Sequence, residues 1–302
     1  MTKPVDFDDI KVSTKTYTAN TNISIDLDKL YDMVEVVPYT VPVKKRGRKK
    51  KGEVEVPPPD IPYGSIVTAK YEGQMKGVNL KSGTKKSTTS WFRNAITIVV
   101  MLDKPLNFKV CKNGTFQMTG CLTDEHPEFC IKMIWDIISK DPTCYTFTRD
   151  HDIFSVLIVP SMRNIDFDLG FNVDREKLGD FLNREECELH CLLEPLFGYA
   201  GVNIKIPLAN SRDDMEVVKI VRNPTDGEYT RSITDYREYL SVLDEKTRRK
   251  KEREERYNTF LVFHSGKVIF SGLTAKLMRS TYYDFMRMIN NASSEIIEKL
   301  DK

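Results

Sequence analysis

One short sentence of sequence is written twice in this chain. Lys112-Asn113-Gly114-Thr115-Phe116-Gln117-Met118-Thr119-Gly120 and His264-Ser265-Gly266-Lys267-Val268-Ile269-Phe270-Ser271-Gly272 each read as a strand end, a tight turn at Asn-Gly or Ser-Gly, a second strand and a closing glycine. A helical segment follows each copy. The copies stand half a chain apart, so they mark two copies of one unit and not a solenoid, which needs three or more shorter repeats.

The halves match beyond this motif. Thr16–Ile25 and Ile165–Phe171 read as strands, and each leads into a short helix opened by aspartate, Asp26 or Asp174. Without gaps Thr16 aligns with Asn164, Ile23 with Phe171 and Leu30 with Leu178. The pattern then predicts a second strand at 64–71 and 198–206. A third is predicted at 95–102 and 215–221, each stopped by proline (Asp103-Lys104-Pro105 and Arg222-Asn223-Pro224). A fourth strand falls at 107–111 and 259–263, and a fifth at 115–119 and 267–271. Closing helices are predicted over 128–139 and 273–290, the latter extending to 300. Strand, helix, four strands and a long helix, twice over, predict an α+β fold. Two pseudo-symmetric repeats form one curved antiparallel sheet, with helices on one face and the other face bare. The repeats divide as 1–141 and 142–302. The first carries a basic insertion at 43–59 and a long loop at 73–93; the second carries a charged insertion at 226–257.

These residues resemble the TATA-box-binding protein family. The carrying motif is Phe260-Leu261-Val262-Phe263-His264-Ser265-Gly266-Lys267-Val268-Ile269-Phe270-Ser271-Gly272, with a degraded copy in the first half. Met162-Arg163-Asn164-Ile165 is similar to the family's opening of the second repeat. The divergence and the long inserts point to a remote member, of the kind found in large DNA viruses. The resemblance implies a saddle that binds the minor groove of duplex DNA, bends it and inserts apolar wedges between base steps. Phe263 takes a wedge position, with Leu261 on the same strand face. Its family partner comes from the loop between strands two and three, read as 207–213, where Leu208 is the only large apolar residue. Cys111 holds the equivalent strand position in the first half, and Trp91 and Phe92 stand in the preceding loop. Each end thus keeps one large wedge and not two, which weakens the case for strong kinking. Phe263 also admits a reading as a core aromatic, and Trp91 and Phe92 as staples of a long loop. The resemblance places Asn164, Thr16, Thr119 and Ser271 at the small polar contacts to minor-groove acceptors, which do not tell A·T from T·A. Lys267 matches a basic residue of the motif. Lys112, Lys219 and Arg222 are phosphate candidates or solvated charges.

Seven of the ten residues from Val43 to Gly52 are basic. Their Arg46-Gly47-Arg48 centre resembles an AT-hook; a nuclear-import patch, a nonspecific phosphate binder and a solvated charged loop are the other readings. Residues 234–256 predict a helix begun at Thr234, either a solvated arm or a partner-docking one.

The net charge is only +2, so uneven placement of charge, not its sum, points to nucleic acid. The family implies duplex DNA rich in A·T as a partner, together with a TFIIB-like factor or RNA polymerase components. It implies location in the nucleus, or in a cytoplasmic viral factory or virion if viral. The start of the chain shows no apolar signal core, and the apolar run 95–102 is too short for a bilayer, so an intracellular protein without membrane contact is expected. No phosphate-cradling loop or nucleophile elbow is present, and the carboxylates show no acid–base spacing. Cys187-x-x-His190-Cys191 lacks a second ligand pair for zinc. Neither an enzyme, a metal site nor a cofactor is expected. The rival class is an assembly scaffold of the same fold whose DNA face has decayed.

Overall fold

The computed structural model describes residues 5–39, 61–80, 93–149, 152–184, 191–192, 201–208, 212–213 and 215–298. The chain forms two compact units. The N-terminal unit comprises Tyr17–Ile158 and Ile220–Arg231; the C-terminal unit comprises Met1–Thr16, Val159–Lys219 and Ser232–Lys302. Two long strands, β1 (Val12–Thr21) and β9 (Ser155–Asp168), contribute to both.

In the N-terminal unit, β1 leads through β2 (Ile23–Ile25) to α1 (Leu27–Met33). β3 (Ser65–Tyr71), β4 (Gln74–Gly77), β5 (Ala95–Met101), β6 (Pro105–Cys111) and β7 (Thr115–Cys121) follow, then α2 (Glu125–Ile138) and β8 (Tyr145–Phe147). The strand order is β1-β7-β6-β5-β3-β4. The loop expected at 73–93 therefore begins with a strand, β4, and residues 81–92 lie outside those described. In the C-terminal unit, β9 leads to α3 (Arg175–Leu182), β10 (Cys191–Leu192) and β11 (Gly201–Pro207). β12 (Val217–Arg222) and β13 (Tyr229–Thr234), each shared with the N-terminal unit, come next, and then α4 (Tyr236–Ser241) and α5 (Glu245–Arg253). β14 (Tyr257–Phe263), β15 (Lys267–Gly272) and α6 (Ala275–Ile296) close the chain. Here the order is β9-β15-β14-β11-β10. Each unit is an open sheet with a pair of helices packed on one face, α1 and α2 or α3 and α6, so the fold class is α+β as the sequence predicts.

Strand alternation selects the covered face. Phe260, Val262, Val268, Phe270, Val202, Ile204 and Ile165 point inward and join Leu178, Met278, Tyr282, Phe285 and Ile289 of the helices in one core. Phe260 lies at its centre, stacked at 4.0 Å on Phe270 and 3.9 Å on Phe285. In the N-terminal unit Leu106, Phe108, Val110, Phe116 and Met118 fill the same role beneath Ile131, Ile134, Trp135 and Ile138. The apolar stripe of α6 runs through Met278, Tyr282, Phe285, Met286 and Ile289, and Leu277 is only half-buried.

The duplication holds down to individual hydrogen bonds. The N–H groups of Thr21 and Leu169 donate to Gly114 and Gly266, and those of Ile25 and Val173 donate to Lys112 and His264. Asp26 and Asp174 each cap their helix by accepting from the third residue on, Lys29 or Lys177, at 3.2 Å in both cases. Hydrogen bonds at Asp174, those from Lys177 foremost, hold its carboxyl below the ordinary carboxylate range. Asp26→Ala is expected to cost about 1 kcal/mol, read as a lowered thermal midpoint in calorimetry.

Several sequence expectations change. The third strand of the second half is not 215–221. β14 pairs with β11, from Gly201↔Phe263 to Pro207↔Tyr257, as β6 pairs with β5, from Ala95↔Cys111 to Met101↔Pro105. β11, expected as a second strand, is therefore the third, and β10 precedes it. β12 pairs instead with β9 and β13. The excursion between third and fourth strands consequently runs over 208–256 and takes in all of the expected 226–257 except Tyr257, which opens β14. The single helix from Thr234 is two helices, capped by Asp235 and Asp244, which accept from Glu238 and Thr247. Thr234 ends β13. The first closing helix starts three residues early, at Glu125, because Pro127 is tolerated in a first turn whose N–H groups need no helical partner.

Candidate nucleic-acid interface

The residues that alternate with the core form the outward face of each unit. The two hairpins share one register. Asn107↔Thr119 and Lys109↔Gln117 in β6–β7 correspond to Thr259↔Ser271 and Leu261↔Ile269 in β14–β15. Thr119 and Ser271 thus occupy one position, as do Cys111 and Phe263. Each hairpin turns at a left-handed glycine, Gly114 at φ +72° or Gly266 at φ +78°. A Cβ there would stand 2.1 Å from the carbonyl oxygen of Ile23 or Phe171.

Phe263 is half-buried and lies on the outward side of β14, while Phe260 and Val262 are fully buried on the other. Leu261 lies on the same side as Phe263, between Asn203 and Ile269. Ser271 is flanked by Thr259 and Asn164, which extends the line across three strands. The Asn164 carbonyl accepts from Ser13 Oγ at 3.3 Å, and its side-chain Oδ1 is a buried acceptor with no hydrogen-bond partner. Such orphans are uncommon in folded proteins. Thr16 is half-buried on β1, and Thr119 is exposed, donating to the Asn107 carbonyl at 3.3 Å. Lys267 is exposed opposite Asp168. Cys111 is half-buried; burial raises its thiol pKa, and Lys109 on the same face opposes that rise. Sequence reasoning missed Asn203, Thr259, Gln117 and Lys109. Their signal was the alternation of the third, fourth and fifth strands, and for Asn203 it is legible once the correct third strand is known.

Leu208 is not in the connection between second and third strands. It directly follows β11, and its N–H donates to the Arg256 carbonyl at 2.8 Å. The corresponding connection is 193–200, with sequence Leu-Glu-Pro-Leu-Phe-Gly-Tyr-Ala, which lies outside the described residues. Trp91, Phe92, Arg46 and Arg48 also lie outside them. Lys219 bonds Glu238 Oε1 at 2.7 Å, so it serves the excursion. The Cys187, His190 and Cys191 side chains are outside the described set; among the described residues no group of three or more His, Cys, Asp or Glu is placed to hold a metal ion. No described helix is long and apolar enough to cross a membrane.

No family model matches the chain. It is 27% identical over 319 residues to uncharacterized protein 335L of Invertebrate iridescent virus 6, covering 96% of this chain and 86% of that protein. It is 31% identical over 149 residues to a TATA-box-binding protein-like protein of Acanthamoeba polyphaga mimivirus, covering 42% of this chain and 40% of that one. Among solved structures it is similar to the Methanococcus jannaschii TBP, with TM-score 0.45 and 14% identity over 93% of this chain and 98% of that one.

Proposed function

We propose that this chain is a viral TATA-box-binding-protein-like initiation factor that holds duplex DNA through the minor groove on the outward faces of its two units. One observation carries the reading. The duplicated hairpins share register and turn geometry, and they set Thr119 and Ser271, with Asn164 beside Ser271, on sheet faces that the helices leave uncovered. Small polar groups at that spacing suit the acceptors of A·T pairs. Phe263, on the same side, is the wedge. Arg46 and Arg48 add contacts to the groove or to phosphates. The helical faces and the excursion 208–256 are the surfaces for a TFIIB-like factor or polymerase components, inside the infected cell.

The scaffold alternative is favoured by a specific set of residues: Cys111 in place of an aromatic, and Asp166 and Asp168 on the outward side of β9. A fluorescence-anisotropy titration of the full chain with A·T-rich and G·C-rich duplexes separates the two. The DNA reading expects tighter binding to the A·T-rich duplex, weakening steeply with salt. Absence of binding to either duplex at low salt would overturn it.

A further inference from the structure

The equivalent rows of the two outward faces are chemically opposite. In the C-terminal unit, register sets Asn203, Leu261, Ile269 and Asp166 side by side. In the N-terminal unit, Thr97, Lys109 and Gln117 match Asn203, Leu261 and Ile269, and the strip runs on past Thr97 to Lys70. The first row centres on two branched aliphatic side chains and holds a carboxylate but no cation. Over the matched positions the second holds a hydroxyl, a cation and an amide with no aliphatic residue, and Lys70 adds a second cation at its outer end. Directly opposed cross-strand side chains lie about 5 Å apart, so each row is a continuous strip.

We propose that the two strips read unlike segments of the duplex: the Leu261–Ile269 ledge accepts only A·T pairs, whereas the Lys109–Gln117 strip accepts either pair. This rests on the DNA-binding reading above. The minor-groove edge of A·T shows acceptors alone, and G·C adds the guanine amino donor. Pressed on Leu261 and Ile269, that amino group loses water and gains no acceptor, which penalises G·C. Gln117 offers both a donor and an acceptor, so it satisfies either pair. Lys109 and Lys70 supply cations near the backbone, whose contribution does not depend on sequence. Asp166 ends the aliphatic ledge with an acceptor that A·T pairs do not satisfy, so the strict segment stops short of β9.

Selection of bound duplexes from a randomised pool, with the full chain, tests this. The unmodified chain is expected to enrich one A·T-strict segment flanked on one side by a relaxed one, with G·C in the strict segment costing roughly ten-fold in affinity. The double variant Lys109→Leu/Gln117→Ile is expected to make the relaxed segment strict. The reciprocal Leu261→Lys/Ile269→Gln relaxes the strict one. The single variant Lys109→Gln, the mildest of the set for folding, lowers the salt slope by about one and leaves the strict segment unchanged. Equal A·T preference across both segments, or preferences that none of these variants moves, would overturn the inference while leaving DNA binding intact. Failure of the unmodified chain to retain any duplex would instead remove the reading beneath it.

Discussion

Phe260→Ala is expected to destabilise the C-terminal unit by about 3–5 kcal/mol, whereas Phe263→Ala, three residues on along the same strand, costs less than about 1 kcal/mol. The difference follows from the face each ring occupies. Phe260 is fully buried, stacked between Phe270 and Phe285 at about van der Waals distance. Truncation leaves a ring-sized cavity that Val202, Val262 and Tyr282 cannot fill without shifting packed backbone. Most mesophilic domains hold only about 5–15 kcal/mol in total, so much of the unit's stability rests on that ring. Phe263 faces outward opposite Gly201, which offers it no side chain to pack on. Urea denaturation followed by circular dichroism reads the first effect. DNA binding reads the second: Phe263→Ala is expected to weaken binding by about 1–2 kcal/mol and to reduce the bend measured by gel mobility of permuted sites. A Phe263→Ala protein as unstable as Phe260→Ala would place that ring in the core and remove it from the interface.

The second large effect is at the hairpin turns. Gly266→Ala and Gly114→Ala are each expected to cost about 3 kcal/mol. Two penalties add. The backbone is left-handed at both, which an L side chain resists. A Cβ would also meet the carbonyl oxygen of Phe171 or Ile23 at 2.1 Å, and that oxygen is backbone, held by its own chain. Gly120 gives the control. Its φ is +86°, but a Cβ there would have nothing within 4 Å, so Gly120→Ala pays only the backbone term, about 1–2 kcal/mol. Equal losses at all three positions in thermal denaturation would show that steric closeness to β2 and to the loop after β9 does not matter. Losses that differ between Gly114 and Gly266 would show that the two turns have stopped being equivalent.

The closing glycine of each motif shows where similarity of sequence stops short. Gly120 is left-handed and open. Gly272 is not left-handed; a Cβ there would strike Met278 Cγ at 2.4 Å and Asn258 Oδ1 at 2.5 Å. One residue type at one aligned position thus serves backbone freedom in one half and close helix packing in the other. The local pattern does not distinguish them, because the partner of Gly272 comes from α6 and β14.

What the chain's own order of residues determined was local. Alternation told which side chains share a face, Gly114 and Gly266 set the turns, Asp26 and Asp174 set the helix starts, and the recurrence of all of these revealed two equivalent units. What the tertiary structure alone decided was adjacency. Gly201–Pro207 and Val217–Arg222 are both short apolar strands in the stretch before β14, and period-two alternation assigns a strand's faces without naming its neighbour. Only the pairing of β11 with β14 chose between them. That choice moved the connection between the second and third strands from 207–213 to 193–200, brought Asn203 beside Leu261, and made the outward rows of the two units comparable residue by residue.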